Sequence, residues 1–225
     1  MLAEAMVLLV LAALGGGVVL LSSRRRRRVM ARRGALLDGC SGLFSDRLVK
    51  VSPLGFPRMA GTADGLRWDV QLVPDALGVR KLPALWLMVS LPAPMPVAGT
   101  VHLMLRPTGG EGFSRFRDLP DQVALPAGYP ADAALRTDDA GAMPDPALLL
   151  VVLALGHERV KEVIVSPKGL RVTLLADEAD RKNYLIMRQT DLGQHPVDAR
   201  LLREAMDRLL ALRGALMDQT TRKIA

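Results

Sequence analysis

The residues with nucleophilic or metal-binding chemistry are few and scattered. Gly39-Cys40-Ser41-Gly42 resembles the start of a nucleophile elbow, in which a serine on a sharp strand-to-helix turn is exposed for attack. That turn needs a glycine two residues after the serine, and Leu43 occupies the position. Cys40 is the only cysteine, so the chain can form neither an internal disulfide nor a cysteine-based zinc site. It reads as a small packed residue. The histidines are His102, His157 and His195. His157-Glu158 lacks the second histidine of a zinc-protease helix, and the three positions share no ligand spacing.

Two loop motifs have acceptor or donor chemistry. Gly109-Gly110-Glu111-Gly112 can present backbone N–H groups to an anion, but no Lys-Ser/Thr follows as in a P-loop. It reads as a turn. Asp138-Asp139 offers two carboxylates for a cation with no evident third ligand. These residues assign no catalytic, cofactor or metal site, and no cofactor is expected.

The strongest pattern lies at the N-terminus. An apolar run from Ala5 to Leu21 is followed by Ser22, Ser23 and then Arg24, Arg25, Arg26, Arg27 and Arg28, with Arg32 and Arg33 beyond. Met1–Ser23 has the length of a membrane span, and Glu4 is its only charged side chain. A cleaved signal peptide carries positive charge before its apolar stretch, and here all of it comes after. The excess of basic residues on that flank predicts an uncleaved, single-pass anchor in a bacterial inner membrane, with the N-terminus outside and the C-terminal domain cytoplasmic. The seven arginines are expected to contact anionic lipid headgroups. Ala12 and Gly16, and Ala13 and Gly17, are four residues apart, which predicts a helix-packing face for another membrane protein or a second copy.

Charge supports separating this segment from the rest. The chain holds 30 basic and 23 acidic residues; without the seven arginines and one glutamate of residues 1–33, it holds 23 and 22. The basic character therefore belongs to the N-terminus, and the remainder shows no global preference for nucleic acid. About 190 residues remain, enough for one domain with a real core. Aromatic residues make up only 4% of the chain, so that core must be built from Leu, Val, Ala and Met.

The hydropathy pattern predicts the elements of that core. Leu66, Trp68, Val70 and Leu72 alternate with Arg67, Asp69 and Gln71, as in a half-buried strand. Residues 85–91 and 100–106 read as further strands, and the three together as an antiparallel meander. Residues 107–145 are rich in glycine and proline, with Phe113, Phe116, Leu119 and Tyr129 as anchors to the domain. Asp145-Pro146 starts a helix over 147–155, expected to be buried on most sides. Ser166-Pro167-Lys168-Gly169 links strands at 160–165 and 170–175, and 183–189 reads as another strand. Residues 197–217 form an amphipathic helix with i,i+4 pairs Arg203–Asp207 and Glu204–Arg208.

The expected fold is α+β: an N-terminal transmembrane helix, then antiparallel β-meander units with a buried helix and a C-terminal amphipathic helix. The expected organisation is an anchor over 1–23, a basic juxtamembrane linker over 24–57, a domain over 58–219 and a polar tail over 220–225. Within the domain, lobes at 58–106 and 145–219 are joined by the loop 107–144. The expected function is non-enzymatic: a membrane-anchored interaction domain serving as adaptor, assembly factor or accessory subunit of a membrane complex. The alternative is a membrane-tethered hydrolase with its site in the 107–145 loop.

Overall fold

The structure is a computed structural model. It describes residues 2–76, 82–182, 184 and 191–224, without the side chains of 2–5, 7–14, 18, 223 and 224. The strand expected at 183–189 lies outside the described residues.

Among the described residues, one antiparallel sheet of nine strands organises the fold, in the order β1-β2-β3-β4-β9-β8-β5-β7-β6. The strands are β1 (Ser45–Val51), β2 (Pro57–Ala63), β3 (Leu66–Asp75), β4 (Ala84–Leu91), β5 (Val101–Leu105), β6 (Asp121–Val123), β7 (Ala133–Thr137), β8 (Val160–Ser166) and β9 (Gly169–Glu178). Helix α1 (Leu2–Gly34) precedes them, the single turn α2 (Leu150–Leu153) lies between β7 and β8, and α3 (Ala199–Ile224) follows.

This corrects the expected fold class. Separate meander units are absent, because β9 pairs with β4 on one side and β8 on the other, joining both groups of strands in one sheet. The helix expected over 147–155 is a short 3-10 segment, Pro146–Leu149, followed by the one turn of α2. Asp145 does cap it, accepting from the Ala147 N–H at 2.9 Å. Its side chains bury only Leu149, Val152 and Leu155 fully, so it is a partly buried turn rather than a core helix. At the C-terminus, α3 runs on to Ile224.

The transmembrane helix is also corrected. Among the described residues, no helix is long and apolar enough to cross a membrane. The apolar run is not an element of its own. It continues without a break through Gly15, Gly16 and Gly17 and on through the arginines in one 33-residue helix. The single-pass topology, the signal-anchor and the inner-membrane location expected from the sequence fall with it.

Period-2 alternation gives the sheet two unlike faces. Along one face, Val70, Val89, Val172, Val163 and Leu103 are cross-strand neighbours, as are Leu72, Leu87 and Leu174. All are buried, and α3 covers them with Leu202, Ala205, Met206, Leu209, Leu212 and Leu216. Both expected pairs lie on the helix's wet side, Arg203–Asp207 at 3.0 Å and Arg208–Glu204 at 3.8 Å. The opposite face carries polar residues, and the segment 107–119 folds across part of it.

Two turns need left-handed backbone. Asp64 (φ +51°) and Gly65 (φ +72°) form the two-residue link between β2 and β3, flanked by the pair Ala63–Leu66. Their twist matches that of the strands they join. At Gly169 (φ +146°) the β8–β9 turn passes so close to the Leu91 carbonyl that a Cβ would collide with it. Only glycine fits there.

Candidate functional site

Among the described residues, the last turns of helix α1 are bound to the rest of the domain. Arg32 donates to Gln194 Oε1 at 2.9 Å and pairs with Asp191 at 2.6 Å. Arg33 donates to the Leu54 carbonyl at 3.1 Å, and its guanidinium lies 4.7 Å over the Phe56 ring. These two arginines of the expected headgroup set are therefore bound to the domain. Arg24, Arg25, Arg26, Arg27 and Arg28 are exposed. A Cβ at Gly16 or Gly17 would meet nothing within 4 Å, so that part of the expected packing face is open. The side chains of Ala12 and Ala13 lie outside the description.

The apolar surface of the protein is concentrated here. Among the described residues, every large hydrophobic that is strongly exposed lies in the first 54 residues. Val19, Leu20 and Leu21 are 63–68% exposed, and Leu48, Val49, Val51 and Leu54 are 50–56% exposed. The last group belongs to β1, an edge strand with all seven residues exposed, and to the turn after it. A register shift between Ser45 and Leu48, with Asp46 at φ +47°, interrupts this edge, and Arg47 and Lys50 charge it. A bulged and charged edge resists pairing with another strand, so recognition at this end of the molecule rests on side chains.

A second region lies on the polar face of the sheet. The bulge between Val160 and Glu162 inserts Lys161, so two side chains answer one partner residue. Lys161 Nζ donates to the Leu105 carbonyl at 3.1 Å, the Arg106 carbonyl at 2.6 Å and Glu111 Oε1 at 2.9 Å. Glu111 also accepts from Thr108 N and Oγ1, both at 2.7 Å, and from Gly109 N at 2.9 Å. The amides of the glycine-rich turn thus serve the turn's own carboxylate. Burial pushes Glu111 up, but the Thr108 donors and the Lys161 ammonium outweigh it and hold the carboxyl at about 2.

Beside this pair, Glu162 is buried and accepts a hydrogen bond from Ser114 of the overlying segment. Thr173 Oγ1 lies 3.5 Å from its other oxygen. His102 Nδ1 is 3.5 Å from Glu162 Oε1, is buried, and makes no hydrogen bond. The carboxylate stands between serine and imidazole. A serine nucleophile needs the imidazole itself within hydrogen-bond reach, so this arrangement is not a triad. Phe113 packs on Trp86 with ring centroids 5.6 Å apart, and Arg136 donates to the Arg117 and Leu119 carbonyls. These contacts fasten 107–119 over the face and leave a groove of about 780 Å³ between it and β4, β5, β8 and β9.

The remaining candidates have structural roles. Cys40 is fully buried, and its thiol donates to the Val197 carbonyl at 3.5 Å. Burial, then the Asp198 charge, push it up to about 11, so it is neither ionised nor reachable at neutral pH. Asp138 accepts from Thr100 N, and Asp139 accepts from Gly141 N and Ala142 N. His157 and His195 are exposed. Among the described residues no group of His, Cys, Asp and Glu is placed to hold a metal ion.

The sequence reading missed Ser114, Lys161, Glu162 and Thr173. In Val160–Ser166 a Lys-Glu pair stands among apolar residues, which breaks strict alternation and is the one available signal of the bulge. Compared with known proteins, the chain matches no family model and no curated protein.

Proposed function

We propose that the protein is an interaction module that docks a protein partner through its projecting N-terminal helix. The observation that carries this is that, among the described residues, the strongly exposed large hydrophobics are confined to the first 54, with Val19, Leu20 and Leu21 just ahead of five consecutive exposed arginines. Exposed apolar groups clustered on one part of a surface mark interaction sites, whereas the same residues scattered singly would not. A helix of 33 residues extends roughly 50 Å, and among the described residues its C-terminal turns are the part bound to the domain.

Charge selects the class of partner. Two copies aligned in parallel would set one arginine run against the other, which costs energy at contact distance. A different protein, with an apolar groove rimmed by carboxylates, satisfies both halves of the helix. Its apolar part receives Val19, Leu20 and Leu21, and its acidic rim receives Arg24–Arg28. The module would then act as an adaptor or accessory subunit.

Site-specific photo-crosslinking in the cells that make the protein tests this. A photoreactive residue at Leu20 is expected to give one discrete adduct heavier than the chain, and one at Lys168 none. Replacing all five arginines of residues 24–28 with glutamate is expected to reduce the adduct at least tenfold. No adduct, an adduct of twice the chain mass, or label entering only lipid would each overturn the proposal.

A further inference from the structure

We infer that the groove under residues 107–119 binds a small organic anion. Its floor is a cross-strand row on the polar face: Arg171 of β9 faces Ile164 of β8, which faces His102 of β5. Adjacent strands are about 4.8 Å apart, so Arg171 and His102 flank Ile164 across about 10 Å. Phe113, Ser114 and Arg115 form part of the roof, and Lys168 stands at the rim on the β8–β9 turn. A volume of about 780 Å³ suits a small molecule rather than a peptide.

Charge sets the sign of the ligand. Arg115, Lys168 and Arg171 line the groove against Asp118 and Asp138, and Asp138 is already engaged by the Thr100 N–H at 2.6 Å. None of the three cations has a carboxylate partner among the described residues. Arg171 is held in place: its Nε donates to Ser90 Oγ at 2.9 Å, and its two terminal nitrogens make no hydrogen bond among the described residues. An oriented guanidinium with free terminal nitrogens is a two-pronged donor for a carboxylate or phosphate. The lining also holds hydroxyl groups of Ser90, Thr100, Ser114 and Ser166, with Phe113, Ile164 and Leu170 available to the body of the ligand.

His102 supplies a reporter on the groove floor. It is a buried imidazole that lines the groove, with its Nδ1 on the side of Glu162, 3.5 Å from Oε1. A ligand seated over the Arg171–Ile164–His102 row lies against this imidazole and should perturb its resonances.

Phenyl phosphate titrated into the full-length protein is the test, read by the imidazole resonances of the three histidines. The expected result is saturable binding that shifts the His102 signals and leaves those of His157 and His195 unmoved. Benzyl alcohol, a neutral aromatic of similar size, is expected to bind at least tenfold more weakly, and inorganic phosphate to bind more weakly than phenyl phosphate. Arg171→Gln should weaken phenyl phosphate at least tenfold. Lys168→Gln, at an exposed turn where folding is not at stake, should weaken it about threefold. Equal affinity for benzyl alcohol, unmoved His102 signals, or affinity unchanged in both variants would overturn the inference.

Discussion

Replacing Lys161 with methionine is expected to destabilise the fold by about 3–5 kcal/mol, the cost of leaving one partner of a buried ion pair alone. The Lys161 and Glu111 side chains are only 5% and 6% exposed. Methionine fills the space of the lysine stem but leaves the Glu111 carboxylate without its cation and the Leu105 and Arg106 carbonyls without their donor. Lys161→Met combined with Glu111→Gln removes both charges and should be more stable than Lys161→Met alone. Urea midpoints of the three proteins measure this. If the double variant is the least stable, the pair is not coupled as described.

The same carboxylate sets an acid dependence. Its folded value of about 2 lies below the ordinary 4.5. Between those values the unfolded chain binds more protons than the folded one, so stability falls as pH falls through that window. Above pH 4.5 the contribution is fully present. Glu111→Gln should flatten this part of the stability profile.

The second large effect is expected at Trp68. It is fully buried in β3, and its Nε1 donates to the Ala63 carbonyl at 3.2 Å across the β2–β3 turn. Trp68→Ala should cost about 3–5 kcal/mol through lost burial and a cavity. Trp68→Phe keeps most of the packing and loses the hydrogen bond, a cost of about 1–2 kcal/mol. Thermal unfolding followed by circular dichroism ranks the two. Equal losses would mean that the hydrogen bond, not the packing, dominates at this position.

What the sequence disclosed follows from how locally each feature is encoded. β3, β4, β5, β8 and β9 carry long apolar or alternating runs, and α3 carries a 3.6-residue stripe; all six were legible as elements. β2 was not, because Pro57, Gly61 and Ala63 weaken its pattern, although Asp64-Gly65 was a readable hairpin signal. β1 has no buried residue to betray it. The pairing of β9 between β4 and β8 joins segments some 80 residues apart, and no local pattern encodes that. The N-terminal reading rested on the length of the apolar run and the arginines after it, which do not tell a run that stands by itself from one that continues into a charged helix.

The site was less legible for a related reason. Glu162 and His102 fall at positions where an isolated strand would face water, and only the fold of 107–119 buries them. Arg171 and Lys168 read as ordinary hairpin charges until Phe113 on Trp86 places a roof above them.

The central claim is that the exposed N-terminal helix is covered by a partner protein, and thiol accessibility tests it most directly. Cys40 is buried with its pKa raised to about 11, so the native chain contributes no background labelling. Single reporters, Leu20→Cys on the helix and Lys168→Cys on the far turn, can be compared in a membrane-cleared native extract and after purification. Leu20→Cys is expected to label at least tenfold more slowly in the extract, and to recover in high salt as the arginine contacts are screened. Lys168→Cys should label alike in both. Equal rates for Leu20→Cys in extract and in purified protein would contradict the claim.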